Sequence, residues 1–378
     1  MLKLLLVFTI CLNAHANWSP ETKKLFNSLQ DLVSYKNKDF ITLWGSLRRY
    51  AWSNSLKGDT FKVKLPQMKN ELELYSFKAE GVKPLVIFFP GIFGSHEGDI
   101  NHWNANDFEK SNLHVGMVPN FLNKNYISAI PKYTKENALS IDVANNLDAI
   151  EEIIDHIGVK NINKIVFVAE SLGTFIASSS IRFQESYPRI FSRLDKVLLL
   201  WPPLDIKNSL SAFDKKFKYT TKAHEDCSYI LKLPKFVKHF FWQDHPENVS
   251  SEDAHCFSAY LFHSGFKSGL RKSFDAIKET REELNEQEPE NFTEFIIAHN
   301  PNFLSTINKD PKKVKLSYWL KKWEGNGVKI KILSSEDDFI NRPSDWNQVE
   351  GEYLFSWGGH CAPLSLINVQ KAITKEVQ

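Results

Sequence analysis

Cysteine is scarce in this chain, with four among 378 residues, and so is net charge, which comes to +2 at pH 7. So few cysteines cannot staple a disulfide-built scaffold, so the fold must rest on a hydrophobic core, for which 378 residues are ample. Near-neutrality excludes a chain that attracts nucleic acid over its whole surface. Beyond the N-terminal 16 residues, no window reaches the roughly 18 apolar residues that a membrane-spanning helix needs. There is no internal repeat. No dinucleotide or phosphate-cradling loop is present either, since the glycines of "PGIFGSHEG" (90–98) lack the acidic partner such loops require. His96, His102 and His114 follow no metal-ligand spacing and are expected at the surface or lining a pocket. Neither a metal nor a cofactor is expected.

Aromatic residues are plentiful, at 13% with ten Trp and 28 Phe. Such a surplus suits an apolar cleft or lid as well as a densely filled core. The opening "MLKLLLVFTICLNAHA" combines Lys3, an apolar stretch from Leu4 to Leu12, and an Ala14-His15-Ala16 cleavage pattern. It reads as a secretory signal peptide over residues 1–16, with a buried N-terminal helix as the alternative. The protein is therefore expected to be exported, periplasmic or secreted. Removal of that segment leaves Cys227, Cys256 and Cys361. In an oxidising compartment Cys227 and Cys256 could be joined, although connectivity does not follow from spacing. Asn248-Val249-Ser250 and Asn291-Phe292-Thr293 fit the glycosylation pattern.

From about residue 60 strands and helices alternate. "TFKVKLPQM" (60–68) and "ELELYSFKA" (71–79) read as an antiparallel edge pair, and "PLVIFFPG" (84–91) as a strand buried on both faces. "NYISAIPKY" (125–133) is the next strand candidate. "SIDVANNLDAIEEIIDHIG" (140–158) sets Val143, Leu147, Ile150, Ile153 and Ile154 on one helical stripe that Gly158 ends. "KIVFVA" (164–169), "LDKVLLLW" (194–201) and "VKIKILSS" (328–335) are further strands, and a helix over roughly 364–376 closes the chain. Alternation with apolar strands predicts an α/β protein with a mostly parallel, twisted sheet flanked by helices. Its core is expected to span 17–206 and 326–378. Residues 207–325 break the rhythm and predict a mainly helical cap over the sheet's carboxyl end. Within them the acidic 281–294 reads as a solvated face, and lysine interleaves with aromatics over 214–222 and 233–242. These two stretches read as solvated helix faces, with a peripheral contact with a membrane surface or with nucleic acid as the alternative.

One stretch carries chemistry. In "KIVFVAESLGTFIASSS" (164–180) a buried strand stops at Ser171 and a small-residue helix follows at once. A serine on such a sharp turn is held in a strained backbone with its hydroxyl above the sheet. Ala169 and Gly173 leave room for the turn, and the helix N-terminus at Leu172 points free N–H groups at the same place.

Here the chain resembles the α/β-hydrolase family, over about 60–206 and 326–378. "FFPGIFGS" (88–95) is similar to the family's loop that supplies an oxyanion hole, with Pro90 where histidine is usual. "KILSSEDDFIN" (331–341) resembles the strand end that carries the acid, best matched by Asp338, with Asp337 and the more distant Asp205 as rivals. "FSWGGHCAP" (355–363) resembles the loop that carries the base, His360. The resemblance implies a triad of Ser171, Asp338 and His360 in the family's order, with the backbone N–H groups of Ile92 and Leu172 as oxyanion donors. Glu170 is expected to pack beside the turn and Cys361 to be a small buried residue. The implied activity is hydrolysis of a carboxylic ester, a small molecule or a lipid with an apolar acyl group, through an acyl-serine. An exported aminopeptidase or amidase with the same triad is the alternative, its ammonium anchor drawn from acidic 281–294. A catalytically inactive fold used as a binding module is a third reading.

Overall fold

The computed structural model describes residues 56–97, 99–130, 138–226, 251–280, 289–300, 308–349, 352–356 and 359–378. The expected signal peptide, Cys227, Asn248, the 233–242 segment and most of acidic 281–294 lie outside them.

β1 (Asp59–Val63) and β2 (Leu72–Phe77) pair antiparallel, with Val63 opposite Leu72, as the two amphipathic strands predict. β3 (Lys83–Phe89) is buried on both faces. Leu85, Ile87 and Phe89 enter one core cluster, while Val86 and Phe88 enter the other. After α1 (Asp99–Lys110) comes β4 (His114–Met117), which the sequence reading missed. The segment chosen in its place, 125–133, instead begins with a helix, α2 (Lys124–Ala129). Asn123 caps it, its side chain accepting from the Asn125 N–H. A helix this short shows no 3.6-residue period, and a strand written His-Val-Gly-Met shows no β-branched run. Gly116 is nonetheless required in β4, because a Cβ there would lie 2.7 Å from Ile153 Cγ2 and 2.9 Å from Ile87 Cδ1.

α3 (Ala138–Ile157) buries the expected stripe, each of its five members at most 1% exposed, and stops at Gly158 with φ +91°. β5 (Ile162–Glu170), α4 (Gly173–Ser179) and β6 (Leu194–Leu200) follow. Next come α5 (Ile206–Asp226), α6 (Ser251–Thr280), α7 (Phe292–His299) and α8 (Leu316–Trp323). β7 (Lys329–Ser335), β8 (Glu352–Phe355) and α9 (Ile367–Val377) complete the order. The eight strands form one sheet in the order β1-β2-β4-β3-β5-β6-β7-β8. β2 runs antiparallel to its neighbours and the pairs from β4–β3 through β7–β8 are parallel. That strand order with antiparallel β2 is the α/β-hydrolase fold.

Between β6 and β7 the chain leaves the sheet and returns through one short stitch. Ile206 N–H donates to Val314 O at 3.1 Å and Leu316 N–H to Leu204 O at 2.9 Å. α5 and α6 pack along each other, and α7 packs on both. α8 packs instead on α4, where the Trp323 indole N–H donates to Ser178 O at 2.8 Å. None of the helices among the described residues is long and apolar enough to cross a membrane.

Candidate active site

Strain marks the carboxyl edge of the sheet. Among described residues, the non-glycine positions with positive φ are Phe93, Asn112, Ser171, Trp201 and Cys361, and all but Asn112 follow strand ends in this region. Left-handed backbone costs a residue with a side chain on the order of 1–3 kcal/mol, and it persists only where surroundings hold it.

Ser171 has φ +51° and follows β5, its N–H held by Leu200 O at 2.8 Å. The turn can close because position 173 has no side chain. A Cβ at Gly173 would lie 2.3 Å from Phe89 O and 2.6 Å from Pro90 O. The reading of small residues around the serine therefore holds at Gly173 for a specific reason, the close approach of α4 to the end of β3. Ala169 and Glu170 are buried, and so is Cys361, which is in no disulfide.

The Ser171 Oγ lies 2.7 Å from His360 Nε2, across 189 positions of sequence. On the far side of the ring, Nδ1 is 3.1 Å from both carboxylate oxygens of Asp338. A ring proton on Nδ1 satisfies the carboxylate, which leaves Nε2 to accept from the serine hydroxyl. Asp338 is 3% exposed, and its carboxylate also takes the Ile340 N–H at 3.1 Å and the Asn341 amide at 3.4 Å. Asn341 in turn donates to Pro202 O and accepts from Leu204 N–H, so it ties the acid's loop to the exit of β6. Nothing in the sequence singled out Asn341.

The two rivals for the acid do other work. Asp337 accepts the Gly359 N–H at 2.7 Å, which clamps the loop that bears His360. Asp205 accepts the Asn208 N–H at 3.1 Å and so caps the start of α5. Of the three histidines expected at a surface or pocket, His114 and His96 are buried, and the side chain of His102 lies outside the described residues. His114 is fully buried at the start of β4, accepting from Ala79 N–H on Nδ1 and facing Asn161 O through Nε2. Burial pushes its imidazolium down despite the hydrogen bond to Asn161, so it stays neutral as a core residue. His96 is 6% exposed and pairs with Glu73 at 2.9 Å. Sequence spacing hid both because their partners come from distant strands and loops. Glu73, His96 and Glu97 bring possible ligand atoms within 4.8 Å of one another, and Lys124 lies 3.5 Å from Glu97.

The loop after β3 reaches the serine from the opposite side. A Cβ on Gly91 would lie 3.3 Å from Ser171 Cβ, so the two chains nearly touch. Gly94 N–H donates to Gly91 O at 3.0 Å and closes a turn with Phe93 in the left-handed region. Asn120 and Asn123 hold this turn by donating to Pro90 O at 3.1 Å and Phe93 O at 2.7 Å. Ile92 and Leu172 line one pocket with Ser171, and neither backbone N–H is used in another hydrogen bond among the described residues. That pocket is small, about 30 Å³, and is walled by Leu210, Phe213, Phe292 and Ile340. The Ser209 hydroxyl on its rim is occupied by Ile340 O at 3.0 Å, so Ser171 is the reactive polar group that faces an otherwise apolar wall.

Above the pocket the helices of 207–325 contribute a cluster of phenylalanine rings. Phe93 packs on Phe266, Phe292 and Phe295 with centroids 5.7, 6.3 and 5.7 Å away. Phe213 meets Phe339, which itself meets the His360 ring at 5.8 Å. Cys256 on α6 is disulfide-bonded. Its expected partner, Cys227, lies outside the described residues. Asn291, in the second glycosylation pattern, caps α7 by accepting the Glu294 N–H at 2.9 Å.

No protein-family model and no curated protein matches the chain. Several solved structures resemble it. Naproxen esterase (carboxylesterase NP) from Bacillus subtilis aligns over 91% of this chain and 100% of its own, at 13% identity and a TM-score of 0.44. An esterase of the fungus Rhizomucor miehei aligns over 96% and 97%, at 12% identity and 0.48. A hyperthermophilic esterase from the archaeon Pyrobaculum calidifontis aligns over 96% and 97%, at 10% identity and 0.42. Likeness at this level says nothing of residues or substrate, and the fold rests on the strand order itself. The chain has an α/β-hydrolase fold whose carboxyl edge brings Ser171, His360 and Asp338 into hydrogen-bonding line.

Proposed function

We propose that the protein is an exported serine hydrolase that cleaves carboxylic esters with an apolar acyl group. The observation that carries this reading is the line from Ser171 Oγ through His360 to Asp338, at 2.7 and 3.1 Å, with the serine on a left-handed turn. A serine hydroxyl is a weak nucleophile until a base takes its proton. In the proposed cycle Oγ attacks the ester carbonyl carbon while His360 Nε2 takes the hydroxyl proton, and Asp338 stabilises the imidazolium. The carbonyl oxygen becomes an oxyanion between the N–H groups of Ile92 and Leu172. Collapse breaks the acyl–oxygen bond, and His360 hands its proton to the departing alcohol. Water then repeats the sequence on the acyl-Ser171 ester, losing its proton to His360, and releases the acid.

The apolar pocket beside Ser171 supports the acyl preference. Its walls, Leu210, Phe213, Phe292 and Ile340, are apolar, as an acyl group requires. The side chains needed for chemistry are in register, which favours an enzyme over an inactive binding module. Glu294 is engaged in capping α7 and lysines line the neighbouring cleft, so nothing described favours an ammonium anchor for an aminopeptidase.

The test is labelling with a fluorophosphonate, followed by turnover of p-nitrophenyl esters and aminoacyl amides. Ser171→Ala should abolish labelling and lower ester turnover by on the order of 10⁴–10⁶ while the fold is kept. Normal turnover by that variant would overturn the reading. Cleavage of amides in preference to esters would replace it with the peptidase.

A further inference from the structure

Between α5 and α6 lies a second cavity, about 770 Å³, within the range of small-ligand sites, roughly 300–1,000 Å³. Its apolar lining includes Phe217 and Leu270. Lys215, Lys218 and Lys222 line it from α5 and Lys267 from α6, and none of the four forms an ion pair among the described residues. Like charges three and four residues apart on one helix face destabilise it by a few tenths of a kcal/mol per pair. Here that repulsion is kept along a cavity wall. The carboxylates on the lining do not cancel it. Asp214 is occupied at the start of α7, where it accepts from Phe292 N–H at 3.0 Å and Thr293 N–H at 3.2 Å. Glu290 is the other carboxylate, so among the described residues two negative charges face four positive ones and the lining stays cationic.

The cavity adjoins the reactive serine. Phe217 on its lining packs against Phe266 at 5.4 Å, Phe266 packs against Phe213 at 5.8 Å, and Phe213 walls the Ser171 pocket. Phenylalanine rings therefore form a shared partition between the two spaces. We propose that this cleft is a subsite for the anionic end of an amphiphilic substrate, phosphate or carboxylate meeting the lysines and its apolar part lying on Phe217 and Leu270. The proposal rests on Ser171 as the nucleophile, and it narrows the substrate class to esters that carry a negative charge. Ammonium groups on exposed helix faces bind such a group as mobile point charges, so selection is by charge and not by headgroup shape.

The experiment measures binding to full-length Ser171→Ala protein by calorimetry, with octyl phosphate, octyl glucoside and octyltrimethylammonium below their micelle concentrations. Octyl phosphate should bind about tenfold or more tightly than the other two, as charge-assisted contacts predict, and should weaken as salt is raised. Lys218→Glu/Lys267→Glu should erase the preference, whereas Lys321→Glu, on the exposed side of α8 away from the cavity, should not. Equal binding of the three amphiphiles overturns the proposal, and so does a preference that survives the double reversal. A parallel arm sediments the protein with anionic and neutral vesicles. Lysine-dependent binding to anionic vesicles without binding of monomeric octyl phosphate would make this a membrane-facing surface and overturn the subsite. Because binding is read on a protein without the serine, loss of the hydrolase reading would appear in the labelling test and leave this result unchanged.

Discussion

A Cβ on Gly269 would lie 2.6 Å from Cδ2 of Phe93. Gly269 sits in α6 and Phe93 in the left-handed turn beside Ser171, so the missing side chain is what lets the ring seat against the helix. Contacts with Phe266, Phe292 and Phe295 offset the strain at Phe93 and join the loop after β3 to the helices above it. Gly269→Ala gains helix propensity but must push the ring away. We expect a net loss of about 1–3 kcal/mol by thermal or denaturant unfolding, the usual range for overpacking, together with lower kcat/KM. An unchanged stability would mean that the ring moves freely and does not anchor the loop.

The two neighbouring aspartates should separate by substitution. Asp338→Asn presents an amide to His360 Nδ1 and favours the wrong tautomer, a change that costs on the order of 10⁴ in kcat in a comparable triad. Asp337→Asn keeps an oxygen able to accept the Gly359 N–H, so its loss should be much smaller. Steady-state kinetics on a short p-nitrophenyl ester checks this, and the reverse ranking would move the acid to Asp337.

Gly173→Ala should fail in a different way. Its Cβ would meet backbone oxygens of Phe89 and Pro90, which have no rotamer to give. The turn at Ser171 or the end of β3 must shift, with a loss of activity disproportionate to the loss of stability. Retained kcat in a folded variant would contradict that close approach.

Glu376 supplies the acid dependence of stability. It sits on α9 and meets Lys331 Nζ at 2.6 Å and Lys196 Nζ at 3.4 Å, all three groups at most 12% exposed. Burial works to raise its pKa, but hydrogen bonding and charge from Lys331, then Lys196, outweigh it and hold the carboxyl below its usual range. Burial also pushes the Lys196 ammonium down, so the shorter contact, to Lys331, is the principal pair. A depressed carboxyl contributes stability above its unfolded pKa of about 4.3 and loses it as pH falls through the folded value. Glu376→Gln should therefore cost about 3–5 kcal/mol at pH 7, as for one partner removed from a buried pair. The gap from wild type should narrow below about pH 4 in urea melts, and a gap independent of pH would refute the pairing.

Much of this architecture was legible from the chain alone. The two-sided burial of β3, β5 and β6 is written as unbroken apolar runs, and the stripe of α3 as a 3.6-residue period. Ser171 could be named from its strand-to-helix turn, and Asp338 and His360 from the resemblance of 331–341 and 355–363 to the loops of the α/β-hydrolase family. What the sequence could not express were contacts between distant backbones. β4 is written His-Val-Gly-Met because Ile153 of α3 and Ile87 of β3 occupy the space of a side chain at Gly116. The resemblance favoured Asp338 over Asp337 without a reason in space; in the fold Asp338 faces the His360 ring and Asp337 accepts the Gly359 N–H. The lysines of 214–222 read as a solvated face, and only the packing of α5 on α6 sets three of them around one cavity with Lys267. Periodicity reports how a segment meets a core. It carries no information on which remote segment fills the space opposite, and at the serine's edge of the sheet that decides everything.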